Sequence, residues 1–283
     1  APRARASQTL MKNLLRVCVS TICYQRALFP PDCFRQKKLS GIAVQHLQCK
    51  TKDKLTNKVI VHNEEGALLT SWLEEGVFDA LQKRYLKTLQ FAVTNGDDAG
   101  DNVLESYHFE FKYPSSETFQ VNDDAIDAGK LKAQAQKLMR NLTELSNTLD
   151  DLPDARAITM ALRYYDDVTP PDYEPAFFVG AEADALRRFA APDGRKTLKV
   201  KIGHVASQHH ALKMLLETAS YDWAPGGTES ASGGARAGSA SLAPRARGGD
   251  EPSAPPRGDE RVEDISESED RAPPEASEPP AGA

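Results

Sequence analysis

The residues best suited by type to hold a metal or move a proton are His204, His209 and His210. Two imidazoles share a helical face when they stand four apart. Here the intervals are five and one, so the spacing predicts three exposed histidines near the end of an element and no metal site. Asp150-Asp151 and Asp166-Asp167 are the carboxylate pairs. Adjacent side chains usually point apart, so each pair reads as a solvated turn rather than an acid/base couple. There is no phosphate-cradling glycine loop, no G-x-G-x-x-G and no G-x-S-x-G elbow. With no named nucleophile, base or cofactor loop, the chain reads as a binding protein that needs no cofactor.

Four serines are candidates for modification. Ser7-Gln8 and Ser207-Gln208 have the serine–glutamine pattern of checkpoint-kinase acceptors, although two such dipeptides are near chance in 283 residues. Ser266 and Ser268 stand in the acidic string Val-Glu-Asp-Ile-Ser-Glu-Ser-Glu-Asp that starts at Val262. An acid-directed kinase or a docking partner suits that string, and a solvated charge run is the plainer reading.

The charge is unevenly placed. Residues 226–283 hold six Arg, no Lys and twelve Asp plus Glu, which accounts for the whole net charge of −6. The preceding part carries 29 basic and 29 acidic residues and is neutral. Phosphate recognition needs clustered Lys and Arg, so a dominant nucleic-acid surface is not expected. Half of the 18 glycines and half of the 18 prolines fall within residues 225–283. After Gly226 only Leu242, Val262 and Ile265 are large aliphatic residues, and no aromatic occurs. Such a segment cannot bury enough apolar surface to offset its ordering entropy, so residues 221–283 are expected to be a disordered acidic tail.

Cys18, Cys23, Cys33 and Cys49 form no C-x-x-C pair, and a chain this long without a repeating cysteine framework reads as cytosolic or nuclear. No apolar run approaches the ~18 residues of a membrane span, so no membrane partner is expected. No secretory leader is expected either, since Lys12, Asn13 and Arg16 interrupt the apolar stretch behind the basic start.

These residues must be positioned by elements the pattern also shows. Leu10, Met11, Leu14, Leu15, Val17, Cys18 and Ile22 cover most of a helical circumference, which predicts a buried helix over residues 8–28 with Ser7 as N-cap and Pro30-Pro31 as terminator. Residues 34–62 show no period and read as loop with short elements. A second helix follows over 65–85, with Asp79 and Lys83 four apart on its wet side. Leu89, Phe91 and Val93, then Val103, Tyr107, Phe109, Phe111 and Tyr113, alternate with polar residues around a turn-rich stretch. That is an antiparallel hairpin with one buried and one wet face. Leu131, Leu138, Leu142, Leu145 and Leu149 make the apolar stripe of a third helix over 128–149. Strands follow at 157–165 and at Leu198, Val200 and Ile202, and a short helical or extended segment over 209–217 ends the domain. The order is α+β, a mostly antiparallel sheet with about three helices packed on it. The irregular stretch of residues 168–191 is long for a compact domain, and such loops are usually functional or mobile.

The most distinctive string is Tyr164-Tyr165-Asp166-Asp167-Val168-Thr169-Pro170-Pro171-Asp172-Tyr173-Glu174-Pro175, a strand leaving its sheet as a proline-stiffened crossing. It closely resembles the same segment in HORMA-domain proteins of the meiotic chromosome axis. Trp72-Leu73-x-x-Gly76 with Asp79 to Leu86 resembles that family's second helix, Tyr107 to Tyr113 its central hairpin strand, and Leu10 to Pro30 its first helix. Lys199-Val200-Lys201-Ile202 matches the last strand region loosely. HORMA adaptors of the spindle checkpoint or of translesion polymerase assembly are the alternative, but the Tyr-Tyr-Asp-x-Val-Thr-Pro-Pro-Asp-Tyr run is expected only in the meiotic subgroup.

The resemblance implies a HORMA domain over residues 10–220 behind an N-terminal arm, 1–9. Its C-terminal part, about 166–218, would be a mobile safety belt that wraps an extended peptide, the closure motif, as that peptide adds a strand to the sheet. The residues so implicated are Tyr164, Tyr165, Asp166, Pro170, Pro171 and Tyr173 near the hinge, and Lys199, Val200, Lys201 and Ile202. Implied partners are closure motifs of axis proteins or of other HORMA proteins, an AAA+ ATPase remodeller with its adaptor acting on the arm, and chromatin indirectly. The implied place is the nucleus, on chromosomes, in homologue synapsis, recombination and checkpoint signalling. The tail shows no basic-apolar string of closure-motif type, and no zinc-binding or winged-helix module is seen after the domain, so direct DNA reading is not expected.

Overall fold

The computed structural model describes residues 2–39, 41–95, 103–114, 128–180 and 197–219. The tail, with Ser266 and Ser268, lies outside the described residues, as do residues 181–196 of the expected belt.

Helix α1 spans Pro2–Gln25. It starts earlier than the expected Ser7 cap, and the residues read as a separate arm continue it. Proline suits a first helical turn because its missing N–H would be unpaired there anyway. Ser7, well inside the helix, spends its hydroxyl on a tertiary contact instead. Met11, Leu14, Leu15, Val17, Cys18, Ile22 and Cys23 are fully buried, as the all-round pattern requires. Burial pushes the Cys18 and Cys23 thiols up, which marks them as packing groups rather than reactive ones. The helix ends before Leu28, because Ala27 turns left-handed at φ 48° and the Leu28 N–H reaches back to the Cys23 carbonyl at 2.9 Å.

Residues 34–62 are more ordered than their sequence suggests. They form two antiparallel hairpins, β1 (Phe34–Leu39) with β2 (Ile42–Leu47), and β3 (Lys50–Lys52) with β4 (Val59–Val61). The signal is weak because β1 buries only Phe34 and Leu39, at its two ends, and β3 is Lys-Thr-Lys. Backbone pairing, not apolar alternation, defines these strands.

The second helix runs from Glu64 to Gln82 in three parts: α2 (Glu64–Ser71), a π-helical stretch (Trp72–Val77) and α3 (Phe78–Gln82). Asn63 caps it, accepting the Gly66 N–H at 2.8 Å. Arg84 closes it at φ 61°, with the Tyr85 N–H on the Ala80 carbonyl. The Asp79–Lys83 pair forms at 2.8 Å.

Strand β5 (Leu86–Thr94) pairs with β6 (Val103–Lys112) in the expected hairpin, with Phe91 opposite Tyr107 and Leu89 opposite Phe109. The face expected to be wet is partly closed. Gln90 and Ser106 are buried there, and the Gln90 amide donates to the Ser106 hydroxyl at 2.8 Å. Helix α4 (Ala128–Ser146) buries Leu138 and Leu142 from its leucine stripe.

The C-terminal strands are β7 (Ala157–Tyr164), β8 (Thr197–Ala206) and β9 (Ala211–Ala219). The segment left open as helical or extended is therefore a full strand. The main sheet is antiparallel throughout, in the order β7-β5-β6-β9-β8. Helix α4 packs on β8. A Cβ at Gly203 would stand 3.2 Å from Leu138, the register of β8 shifts there, and the Asn141 amide donates to the Ile202 carbonyl at 2.7 Å. Arg26 and Glu105 pair at 2.6 Å with both side chains 4% exposed, tying the end of α1 to β6.

Candidate functional site

The sheet has two edges, and the implicated residues divide between them. Tyr164 ends β7, the strand at one edge, and Tyr165, Asp166, Pro170, Pro171 and Tyr173 follow it. Lys199, Val200, Lys201 and Ile202 lie in β8 at the other edge. Four strand spacings separate β7 from β8, roughly 19 Å. The two groups therefore do not meet. Ile202 is buried under α4, Lys199 pairs with Glu217 at 2.5 Å, and Lys201 is exposed.

Among the described residues β7 pairs with β5 only. Its other edge presents backbone N–H and C=O groups, the template an added strand uses. Its inner face is seated by Ile158, Met160, Leu162 and Tyr164, all partly buried against the core.

The chain leaves β7 through a bolted corner. The Tyr165 N–H donates to the Tyr85 carbonyl at 2.9 Å, and its hydroxyl donates to the Phe111 carbonyl at 2.7 Å. The Tyr113 ring meets it edge-on at 6.0 Å, and the Lys87 ammonium lies 5.7 Å from its centroid. Asp166, Asp167, Pro170 and Pro171 are exposed in the turn beyond, as the solvated-turn reading requires. Thr169 Oγ1 is buried there without a hydrogen-bond partner.

Tyr173 then anchors the chain to the second helix. Its hydroxyl donates to Asp79 Oδ2 at 2.7 Å, and the same oxygen accepts Lys83 at 2.8 Å. The Tyr173 ring packs edge-on against Tyr85 at 5.0 Å and Tyr164 at 5.3 Å, with the Lys83 ammonium 4.8 Å from its centroid. Burial, reinforced by the bond to Asp79, keeps the Tyr173 phenol protonated far above the usual range. Burial pushes the Asp79 carboxyl up, but the bonds from Lys83 and Tyr173 outweigh it and hold it below the usual carboxylate value. The Tyr164 phenol is pushed up to about 12 by burial, then by Asp79 and Glu174.

Further along, Gly76 makes room for the chain. A Cβ there would fall 2.5 Å from the Ala176 carbonyl and 2.5 Å from the Phe178 ring. The helix is π-wound at this point, a local widening that recurs at functional sites. Phe177, 52% exposed, is held at φ 70°, a costly conformation for a bulky residue. Residues 165–180 thus form a strap seated on the second helix beside the open edge of β7. Asp79, Tyr85 and Gly76 complete the site. A glycine inside an apolar helical pattern was the one local signal that pointed to Gly76.

The histidines separate. His204 is exposed, His209 half-buried and His210 only 2% exposed, so the expectation of three exposed imidazoles fails at His210. It is buried because Ala211 opens a strand that enters the middle of the sheet. Among the described residues no three His, Cys, Asp or Glu side chains gather as a metal site, and no helix is long and apolar enough to cross a membrane.

The HORMA domain model matches residues 7–210, most of the chain and all of this site. The chain belongs to the HORMA domain family. Meiosis-specific protein ASY1 of Arabidopsis thaliana is 34% identical over 229 residues, covering 75% of this chain and 36% of that protein. HORMA domain-containing protein 2 of Mus musculus is 30% identical over 223 residues, covering 75% of this chain and 67% of its own length. The chain spans about a third of ASY1, and 52% of the human HORMA domain-containing protein 1. Among solved structures, Caenorhabditis elegans HTP-2 bound to the HIM-3 closure motif aligns with TM-score 0.59 at 20% identity, over 75% of this chain and 90% of that one. A chain of the mitotic checkpoint complex aligns with TM-score 0.53 at 14% identity, over 76% of this chain and 99% of that one. These likenesses establish the HORMA fold. The α+β sheet with three helices seen here agrees with them.

Proposed function

We propose that this HORMA domain is a meiotic chromosome-axis adaptor that captures an extended closure-motif peptide along the outer edge of β7, under the strap that begins at Tyr165. The observation that carries the reading is the edge of β7 that has no partner among the described residues, beside a strap fixed at Tyr165, Tyr173 and Gly76. A peptide there extends the antiparallel ladder, so its backbone supplies much of the affinity and its side chains the selectivity. The strap then lengthens the residence time by blocking the peptide's exit. HTP-2 and HTP-1, structural neighbours of this chain, were solved with HIM-3 or HTP-3 motifs bound. ASY1 and the HORMA domain-containing proteins share 30–34% identity with it. Those likenesses favour closure motifs of axis proteins or of other HORMA proteins as ligands, and a nuclear, chromosomal place in synapsis, recombination and checkpoint signalling. A strap that must open to release its ligand calls for an energy-driven remodeller, and an AAA+ ATPase with its adaptor fills that role. The reading is non-catalytic. The groove of about 360 Å³ between α1, β2 and α4 has an apolar floor of Ile42, Val44 and Met139 with Gln25, Arg140 and Glu144 around it, and it lies apart from the strap and β7.

The test is a binding screen of the full chain against overlapping peptides tiling axis proteins and its own tail, with hits resynthesised bearing N-methyl groups at single backbone positions. Binding with hydrogen-exchange protection over Ala157–Tyr164, lost on alternate N-methylations, supports the reading. Hits that leave β7 unprotected and tolerate N-methylation at every position reject it.

A further inference from the structure

The serine–glutamine dipeptides, 200 residues apart in sequence, meet in the fold. Ser7 Oγ and Ser207 Oγ stand 2.5 Å apart, and Ser7 Oγ also lies 2.9 Å from His210 Nδ1. Ser207 fixes the turn between β8 and β9. Its hydroxyl donates to the His210 carbonyl at 2.9 Å and accepts the backbone N–H groups of His209 at 3.2 Å and His210 at 3.0 Å. Ser7, Ser207 and His210 are 7%, 9% and 2% exposed. The junction therefore clamps the second turn of α1 to the β8–β9 turn. It also touches the strap's corner through one ring. Tyr113 meets His210 edge-on at 5.7 Å and Tyr165 at 6.0 Å.

We propose that Ser7 and Ser207 are paired phosphoacceptor sites, and that phosphorylation of either one holds α1's first turns apart from the β8–β9 turn. The acceptor pattern suits a protein kinase that reads glutamine after serine. The γ-phosphoryl group of a nucleoside triphosphate passes to Oγ, the nucleoside diphosphate leaves, and the hydroxyl proton goes to the kinase base. Space decides the consequence. Two oxygens at hydrogen-bond contact leave no volume for a phosphoryl group between them, so a group on one displaces the other. Charge acts in the same direction. The group brings about −1.5 to −2 charges into a buried site whose imidazole is neutral. Arg84 and His209, whose charges act on His210, oppose this. Both serines are covered while the clamp is closed, so the kinase acts on the transiently separated chain and its product traps that state. Release of His210 removes one wall of Tyr113, which loosens the packing beside Tyr165. None of this depends on a peptide being bound at β7.

The experiment uses the full chain with phosphoserine genetically encoded at position 207, compared with the unmodified chain and with S207A. Amide exchange over residues 4–10 and 205–211 is expected to quicken about tenfold or more in both segments of the phosphorylated chain, and much less in S207A. Unchanged protection of residues 4–10 in the phosphorylated chain, with the phosphate accommodated on Arg84, overturns the proposal. In a second arm, a serine–glutamine-directed kinase and ATP are supplied to the unmodified chain and to H210A. Phosphate mapped to Ser7 or Ser207, faster in H210A, supports it. Its absence from both serines in both chains overturns it.

Discussion

Tyr173 and Asp79 are bound hydroxyl to carboxylate at 2.7 Å, across the gap between the strap and the second helix. The same carboxylate holds Lys83, which also lies over the Tyr173 ring. Tyr173→Phe keeps the ring packing and removes this one charge-assisted bond, at a cost of about 1–2 kcal/mol to strap docking. Global thermal unfolding is expected to change little. Exchange over residues 166–179 should quicken, and a bound peptide should dissociate several-fold faster. A variant with wild-type strap exchange shows that ring packing alone holds it.

Gly76→Ala sets two effects against each other. Alanine favours a helix interior by up to about 1 kcal/mol over glycine. Its Cβ, however, would meet the Ala176 carbonyl and the Phe178 ring at 2.5 Å, both outside the helix. The helix should therefore stand and the strap should lift. Limited proteolysis is expected to cut near residues 176–180 faster in the variant, while far-ultraviolet dichroism stays the same. Faster cutting with lost helicity points to a helix defect instead.

The α-helices and the β5–β6 hairpin are legible in the sequence because their apolar residues recur at 3.6 and 2.0. Met11, Leu14, Leu15, Val17, Cys18 and Ile22, Leu138 and Leu142 of α4, and Phe91 with Tyr107 and Phe109 all lie in the core. The β1–β2 and β3–β4 hairpins are not, since their lysines carry no alternation. The ends of α1 and α3 are misplaced because Ala27 and Arg84 do the left-handed turning that glycine usually signals. The strap's string stands out through resemblance, but the seat of Tyr173 on Asp79 of the second helix is a long-range contact that the string does not carry. What the sequence could not show is that Lys199 to Ile202 stand across the sheet from Tyr165. Register and strand order are long-range properties, and β9, an ambiguous run, occupies the position between β6 and β8 that decides them.

His210 sets a pH dependence. Burial, then the charges of Arg84 and His209, lowers its pKa to about 4 from 6.5, so the fold holds it neutral. Between these values the unfolded chain binds more protons than the folded one, so stability is full above pH 6.5 and falls as pH drops towards 4. His46, also lowered to about 4, adds to the same slope. His210→Asn keeps a polar group opposite Ser7 and removes the titration. Urea unfolding at pH 7 and pH 5 should show a smaller loss for the variant than for the parent chain. An equal loss in both chains assigns the slope to His46 and the other groups.

Arg26 and Glu105 test how much of the fold hangs on one buried pair. Arg26 joins Glu105 at 2.6 Å and also donates to the Asp150 carbonyl, while the Tyr107 hydroxyl donates to Glu105 at 2.8 Å. Removing one ion leaves the other charged, buried and unpaired, which costs about 3–5 kcal/mol. Arg26→Met is therefore expected to lower the denaturant midpoint severely. The double change Arg26→Met with Glu105→Gln removes both charges while an amide stays within reach of the Tyr107 hydroxyl. It should recover much of that loss, because desolvating two ions offsets most of what their attraction returns. A double variant no more stable than Arg26→Met alone would mean that the Asp150 carbonyl, not the charge on Glu105, is the partner whose loss matters.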